Sequence, residues 1–189
     1  DALPLFRGPS ADEVGVVRRM IASGFNAPRA HGAGRLFDAI GALALDRPRA
    51  RYEGQVAMAL EATAGDGAHG RYAYEIDTST SPWQLDWRPI VVGAAREVAE
   101  GRPPALVAAR FHAALVAAAA ELVRLASERL GDSLPVVLSG GCFANALLSE
   151  GIIRALSACF SIYLPRAAPP GDGGIALGQT VIADARAGA

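Results

Sequence analysis

The chain has 189 residues, half of them apolar, and a formal net charge of −1. That length is enough for one domain with its own core. The near-neutral balance gives no footprint of the basic stripe that a nucleic-acid surface needs. With no 18-residue run of uninterrupted apolar residues, no membrane span is expected. All 18 basic residues are arginine, which excludes a P-loop lysine and Schiff-base chemistry.

The opening stretch DALPLFRGPS has no basic start before an apolar run, so no signal peptide is expected. Without Met at position 1, the sequence reads as a segment of something longer. Residues 11–24 predict a helix, with Val14, Val17, Met20 and Ile21 at helical spacing and Gly24 as its stop. GRLFDAIGALAL carries a second stripe of Leu36, Ile40 and Leu43 beside Phe37. YEGQVAMALEATA, 52–64, predicts a third helix, with a loop over 65–71. RYAYEIDTS alternates and predicts a strand. A strand or turn is expected at Trp83 and Trp87, with packing as their role and a short helix after Pro89. The clearest helix runs over 105–130. Pro103 and Pro104 precede it, Phe111, Leu115, Leu122 and Leu125 or Ala126 line it, and Gly131 ends it.

The rhythm then changes. LPVVLS predicts a strand, ANALLSEGIIRALSAC a helix, FSIYLP a strand, and GGIALGQTVIADARA a last helix after a 166–174 loop. This tail is a β-α-β-α unit whose two strands should run parallel. The chain therefore divides into a helical part, about 11–131, and a β-α-β-α part, about 134–186, within a single domain.

Two glycine turns stand out. In α/β units ligands bind beyond the carboxyl ends of the strands. VVLSGGCFAN puts Gly140 and Gly141 at such an end. Glycine lets the backbone approach a ligand closely or adopt positive φ, and a helix start offers unpaired N–H groups to an anion. Asn145, in the first helical turn, has an amide suited to a ribose or base. A tight turn with no ligand is the alternative. In PPGDGGIALGQ, Asp172 falls where a helix N-cap sits. Parallel strands would place both glycine turns on one rim, which turns Asp172 toward a ligand or a metal instead. Asp38 could accept two hydrogen bonds from a ribose diol, or be an exposed helical carboxylate paired with Arg35.

His31, His69 and His112 are isolated, and none pairs at the i, i+4 spacing of a helical metal site. For His112, packing is expected. Cys142 and Cys159 have no Cys or His motif beside them, which predicts neither a zinc site nor a disulfide. A reducing cytoplasm is the expected compartment.

Six stretches in order, GRLFDAIGALAL, YEGQVAMALEA, LDWRPIV, ARFHAALVAAAAEL, VVLSGGCFANALL and PPGDGGIALGQTVIA, resemble the C-terminal carbamoyl-transfer domain of the hydrogenase maturation carbamoyltransferases (HypF). They cover about 33–184. The resemblance implies an actin-like (ASKHA) architecture of RNase-H-like halves, of which this chain is the later half. It implies that Gly140, Gly141 and Asn145 line an adenylate pocket, that Asp38 binds the ribose hydroxyls, that Gly54 of YEGQ lies near the nucleotide, and that Asp172 ligates iron or zinc. It implies ATP, AMP or carbamoyl-adenylate as the bound nucleotide. The implied reaction carries a carbamoyl group to the C-terminal cysteine of a HypE-like partner. The histidine pair of that metal site has no counterpart in these residues. O- or N-carbamoylation of a small molecule or tRNA, or a non-catalytic role in binding nucleotide or partner, are the alternatives.

Overall fold

The computed structural model describes residues 3–65, 70–132 and 134–188. It divides into two compact units, Asp1–Ala114 and Leu115–Ala189.

In the first unit a short 3-10 turn, Pro4–Arg7, leads to α1, Ala11–Ser23. The start of α1 is written locally. Ser10 Oγ accepts the Glu13 N–H at 3.2 Å, and Glu13 Oε2 accepts the Ser10 N–H at 2.8 Å. This reciprocal cap satisfies two groups a helix start would otherwise leave unpaired. Gly24 closes the helix in the left-handed region, φ 71°. The hydrogen bonds from Ser10, with Arg49 beside them, hold the Glu13 carboxyl below its usual range. The apolar stripe of α1 is nevertheless only partly covered, with Val17 and Ile21 exposed, and no residue of this helix is buried.

Helices α2, Ala33–Leu45, and α3, Gln55–Thr63, follow. Next comes a hairpin of β1, Glu75–Asp77, and β2, Gln84–Asp86, antiparallel with Ile76 opposite Leu85. Helix α4, Arg88–Ala99, and the first part of α5, Pro104–Leu130, complete the unit. Its core is Phe37, Ile40, Val56, Leu60, Ile90, Ala94, Val107 and Phe111. Phe37 and Phe111 meet edge to face at 4.9 Å, and His112 stands against both. The His112 Nδ1 lies 2.8 Å from the Ala108 carbonyl, so packing is indeed its role. Burial is the main cause that lowers its pKa below 6.5. A half-buried polar network joins distant segments, where Tyr72 Oη donates to Glu97 at 2.7 Å and Arg110 pairs with the same carboxylate. His69 and most of the expected 65–71 loop lie outside the described residues.

In the second unit the rest of α5 packs against α6, Ala146–Leu156. Gly151 makes this possible, because a Cβ there would sit 2.6 Å from Val116 Cγ2. The strands are β3, Val136–Val137, and β4, Ile162–Tyr163, and they pair in parallel as expected. Both are shorter than their apolar runs, because a strand extends only as far as its ladder and each has one neighbour. A 3-10 turn, Gly141–Ala144, precedes α6, and another, Asp172–Gly174, precedes α7, Ile175–Ala187. The core is Ala118, Leu138, Leu148, Ile152 and Leu156.

Helix α5 is long and apolar enough, by length and composition, to cross a membrane. Here it is a core helix, with Val107, Ala108, Phe111, Ala114 and Ala118 fully buried.

Candidate functional site

The second unit brings its two glycine turns together. Leu138 is buried at the end of β3, and the chain then reaches Gly140 at φ 109°, ψ 156°. Only glycine takes that conformation without strain. The Gly140 N–H donates to Pro170 O at 2.7 Å, tying the first turn to the second. A Cβ on Gly171 would lie 3.2 Å from Gly141 Cα, so the two corners are in contact. Parallel pairing of β3 with β4 puts them at the same end of the strands, as the sequence predicts.

The glycines differ in what they serve. Gly173 and Gly174 are needed by their own loop, since a Cβ on either would come within 2.7 Å of Pro169. At Gly140 and Gly141 a Cβ would meet nothing within 4 Å. Those two leave the backbone open on a side that the described residues do not fill.

Asn145 is not in the first turn of α6 but is its N-cap. Its Oδ1 accepts the Leu148 N–H at 2.8 Å, and the residue is 9% exposed. The 3-10 turn interposed after Gly140 delays the helix and makes this cap. Asp172, which its turn taken alone would make an N-cap, is not one. The Gly174 N–H bonds to Gly171 O at 2.9 Å, the chain turns early, and α7 starts only after Gly174. Asp172 therefore lies ahead of the unpaired N–H groups it was expected to cap. Among the described residues its exposed carboxylate has no hydrogen bond or ion pair.

A metal needs several converging donors. Among the described residues no three His, Cys, Asp or Glu side chains gather. Asp172 is one exposed carboxylate, His31 is exposed in the first unit, and His112 is enclosed by aromatic rings. The described residues do not by themselves fit a metal ion.

The first unit brings together two other residues. Asp38 and Gly54 line one cleft of about 620 Å³, with Arg35, Arg51, Tyr52 and Glu53 around them. This is the size of a small-molecule site. The cause is a close crossing of helices, because Gly41 of α2 packs on Val56 of α3 where a Cβ would be 2.5 Å from Val56 Cγ1. Asp38 lies one turn before Gly41 and Gly54 is at the start of α3, so this crossing sets both on the walls of one cleft. Gly54 is left-handed, φ 78°, with nothing within 4 Å of a Cβ position. Asp38 accepts from Arg35 Nη1 at 2.9 Å and remains 31% exposed. Arg35 also approaches Glu53 at 3.6 Å. The expected Arg35 pairing is thus present, and the carboxylate still faces the cleft.

The sequence pattern did not reveal Arg51, Tyr52 and Glu53 as cleft residues, although they adjoin the YEGQ stretch. A second cleft of about 870 Å³ beside the hairpin was also not foreseen, with Arg29, His31, Glu75, Trp87 and Arg88 on its walls. Arg88 forks onto Asp86 through Nε and Nη2 at 2.6–2.9 Å, which holds the Asp86 carboxyl low. Trp87 is 47% exposed, a rim residue more than a core one.

Residues 4–179 match a family model described as the second subdomain of a carbamoyltransferase Kae1-like domain. Carbamoyltransferase HypF2 of Cupriavidus necator is 34% identical, over 96% of this chain and 25% of that protein. Carbamoyltransferase HypF of Rhizobium leguminosarum bv. viciae is 37% identical, over 93% of this chain and 22% of that protein. A crystal structure of full-length HypF in its phosphate- and nucleotide-bound form superposes with a TM-score of 0.85 at 31% identity, covering 95% of this chain and 24% of that one. The chain thus spans about a quarter of the length of these relatives. The helix-rich α/β fold ending in a β-α-β-α unit is shared with the solved protein.

Proposed function

The chain belongs to the carbamoyltransferase family, as the second subdomain of its Kae1-like domain, and from this we propose that it serves nucleotide-dependent carbamoyl transfer in the maturation of nickel–iron hydrogenase. The observation that carries the reading is that Asp38 and Gly54, from separate sequence motifs, line the same ligand-sized cleft.

In this reading Asp38 accepts hydrogen bonds from the ribose hydroxyls of an adenylate, and Gly54 allows its backbone close to the nucleoside. Gly140 and Gly141 present open backbone to the adenylate, with Asn145 behind them holding the start of α6 in place. Carbamoyl-adenylate, made with ATP, is a mixed anhydride, so AMP is a good leaving group. The acceptor is the C-terminal cysteine of a HypE-like partner. Its thiol first loses its proton to water, the thiolate attacks the carbamoyl carbon, the C–S bond forms as the C–O bond to the phosphate breaks, and AMP departs with the bonding electron pair. Because the partner supplies the nucleophile, this chain need not contain one. A cytoplasmic setting suits an acceptor thiol that must stay reduced. Asp172 is proposed as one ligand of an iron or zinc ion whose remaining ligands come from outside these residues.

Calorimetry with AMP tests the binding step. Asp38→Ala should weaken affinity by about 10- to 100-fold, the worth of hydrogen bonds to a charged acceptor, and unchanged affinity rejects the ribose role. Transfer is read by mass spectrometry of the HypE C-terminal peptide, with this chain in place of the matching quarter of the Cupriavidus protein. Elemental analysis of the same hybrid should find iron or zinc that Asp172→Asn loses, and equal metal in both would remove the ligand role.

A further inference from the structure

The loop between α2 and α3 gathers charge of one sign. The whole chain balances 18 basic against 19 acidic residues, yet Arg47, Arg49 and Arg51 fall in the acid-free run RPRAR. The fold holds the three together. Asp46 ends α2 in the left-handed region, φ 52°, and the Arg47 N–H still donates to Ala42 O at 3.0 Å. Pro48 fixes its own φ and biases Arg47 toward extended backbone. Its Cγ lies 3.6 Å from a Cβ position on Gly8, which seats the loop on the chain ahead of α1. Arg49 Nη2 meets Glu13 Oε1 at 2.6 Å, and the Arg51 N–H donates to Gln55 Oε1 at 2.7 Å. Alternate side chains of an extended segment share a side, and here they enclose a cleft of about 280 Å³ walled by Arg47, Arg49, Arg51 and Gln55.

The charge in this cleft is not balanced from within. No carboxylate lines it. Glu13 engages Arg49, whereas among the described residues the Arg47 and Arg51 guanidiniums have no hydrogen bond or ion pair. Both also stand on the wall of the Asp38 cleft, whose carboxylates, Asp38 and Glu53, are each approached by Arg35. Like charges gathered on one wall repel unless an anion lies between them. A guanidinium suits phosphate, because its planar fork offers paired N–H donors that match two phosphate oxygens. Gln55 adds a neutral donor, since its carbonyl oxygen is used by Arg51 and its amide nitrogen is not. The tethers set these donors in place before any ligand arrives, which lowers the cost of binding.

We propose that Arg47 and Arg51, with the Gln55 amide, form a binding site for a phosphate or pyrophosphate group beside the Asp38 cleft. The group is either a free phosphate species or the phosphate end of a nucleotide. The proposal stands on the arginine loop and not on the carbamoyl-transfer reading. If AMP does not bind, the ribose role of Asp38 falls, and pyrophosphate still decides this site.

Pyrophosphate is titrated calorimetrically into the 189-residue chain at low ionic strength. It should bind saturably, and Arg47→Gln and Arg51→Gln should each weaken it about five- to tenfold, a charged hydrogen bond discounted for exposure. Both side chains are exposed, so the variants should melt with the wild type. Arg18→Gln removes the same charge from an exposed position on α1 and should leave the affinity unchanged. Absence of saturable binding overturns the proposal. So does equal weakening by all three substitutions, which makes the effect one of net charge. Malonate bound as tightly as pyrophosphate also overturns it, because two negative charges would then suffice. A repeat with AMP present distinguishes the sources. Competition assigns the site to the phosphate end of a nucleotide, simultaneous binding assigns it to a free species, and either supports phosphate recognition by the two arginines.

Discussion

Gly41→Ala probes the contact that builds the Asp38 cleft. The new Cβ would stand 2.5 Å from Val56 Cγ1 and 3.1 Å from Val56 O, where carbon atoms prefer about 3.5–4.0 Å. Val56 is 3% exposed and β-branched, so its χ1 has little freedom. Even a rotated Val56 side chain would leave the backbone oxygen in the way. Relief therefore requires α2 and α3 to separate by about 1 Å, and because backbone has to move, the overpacking falls in the upper part of the usual range, about 2–3 kcal/mol. Replacing a helical glycine by alanine returns about 1 kcal/mol. The net expectation is a loss of about 1–2 kcal/mol, or roughly 2–8 °C in melting temperature for a chain of this size. Gly178→Ala is the matched control, with the same propensity gain and nothing within 4 Å to oppose it. It should not lower the melting temperature and should slow exchange across α7 about fivefold. Thermal denaturation followed by circular dichroism separates the two. A Gly41→Ala chain that melts at or above the wild-type temperature would refute the tight crossing, and with it the account of how Asp38 and Gly54 share a cleft.

Asn145→Ala removes the α6 cap and should lower stability by about 1 kcal/mol in urea titration, and no measurable loss would contradict the cap. Gly141→Val places its side chain in open space, so stability should move by no more than about 0.5 kcal/mol, while AMP affinity should fall at least about tenfold if the backbone there meets the adenylate. Normal AMP binding by that variant removes Gly141 from the site. His112 gives a pH dependence with a defined sign. Its folded pKa is lowered, chiefly by burial, below 6.5. The unfolded chain therefore binds a proton that the folded chain excludes, and stability rises with pH across the window just below 6.5. The stabilisation is fully present above that window and is lost as pH falls through it. His112→Leu should flatten the decline between pH 7.5 and 5.5, and parallel profiles for the two proteins would show that this ring does not cause it.

Where the information is local, the sequence was enough. Ser10, Glu13 and Gly24 specify the ends of α1 within a few residues of it. Pro104 and Gly131 bound α5 in the same way. The apolar runs and double glycines of the tail predict a parallel β-α-β-α unit, and the six ordered motifs point to the family that the comparisons then show. These features depend on φ preferences, caps and residue spacing, which act over one or two turns.

Only the tertiary structure decided the rest, because burial and pairing depend on segments far apart in the chain. Asp38 and Gly54 share a cleft because Gly41 lets Val56 in. Asn145 became a cap and Asp172 did not, because 3-10 turns delayed both helices. Helices α1 and α7 carry apolar side chains as α6 does, yet α6 buries its own and, among the described residues, α1 and α7 bury none. A stripe records that a helix has an oily side, while its covering depends on what the rest of the polypeptide brings against it.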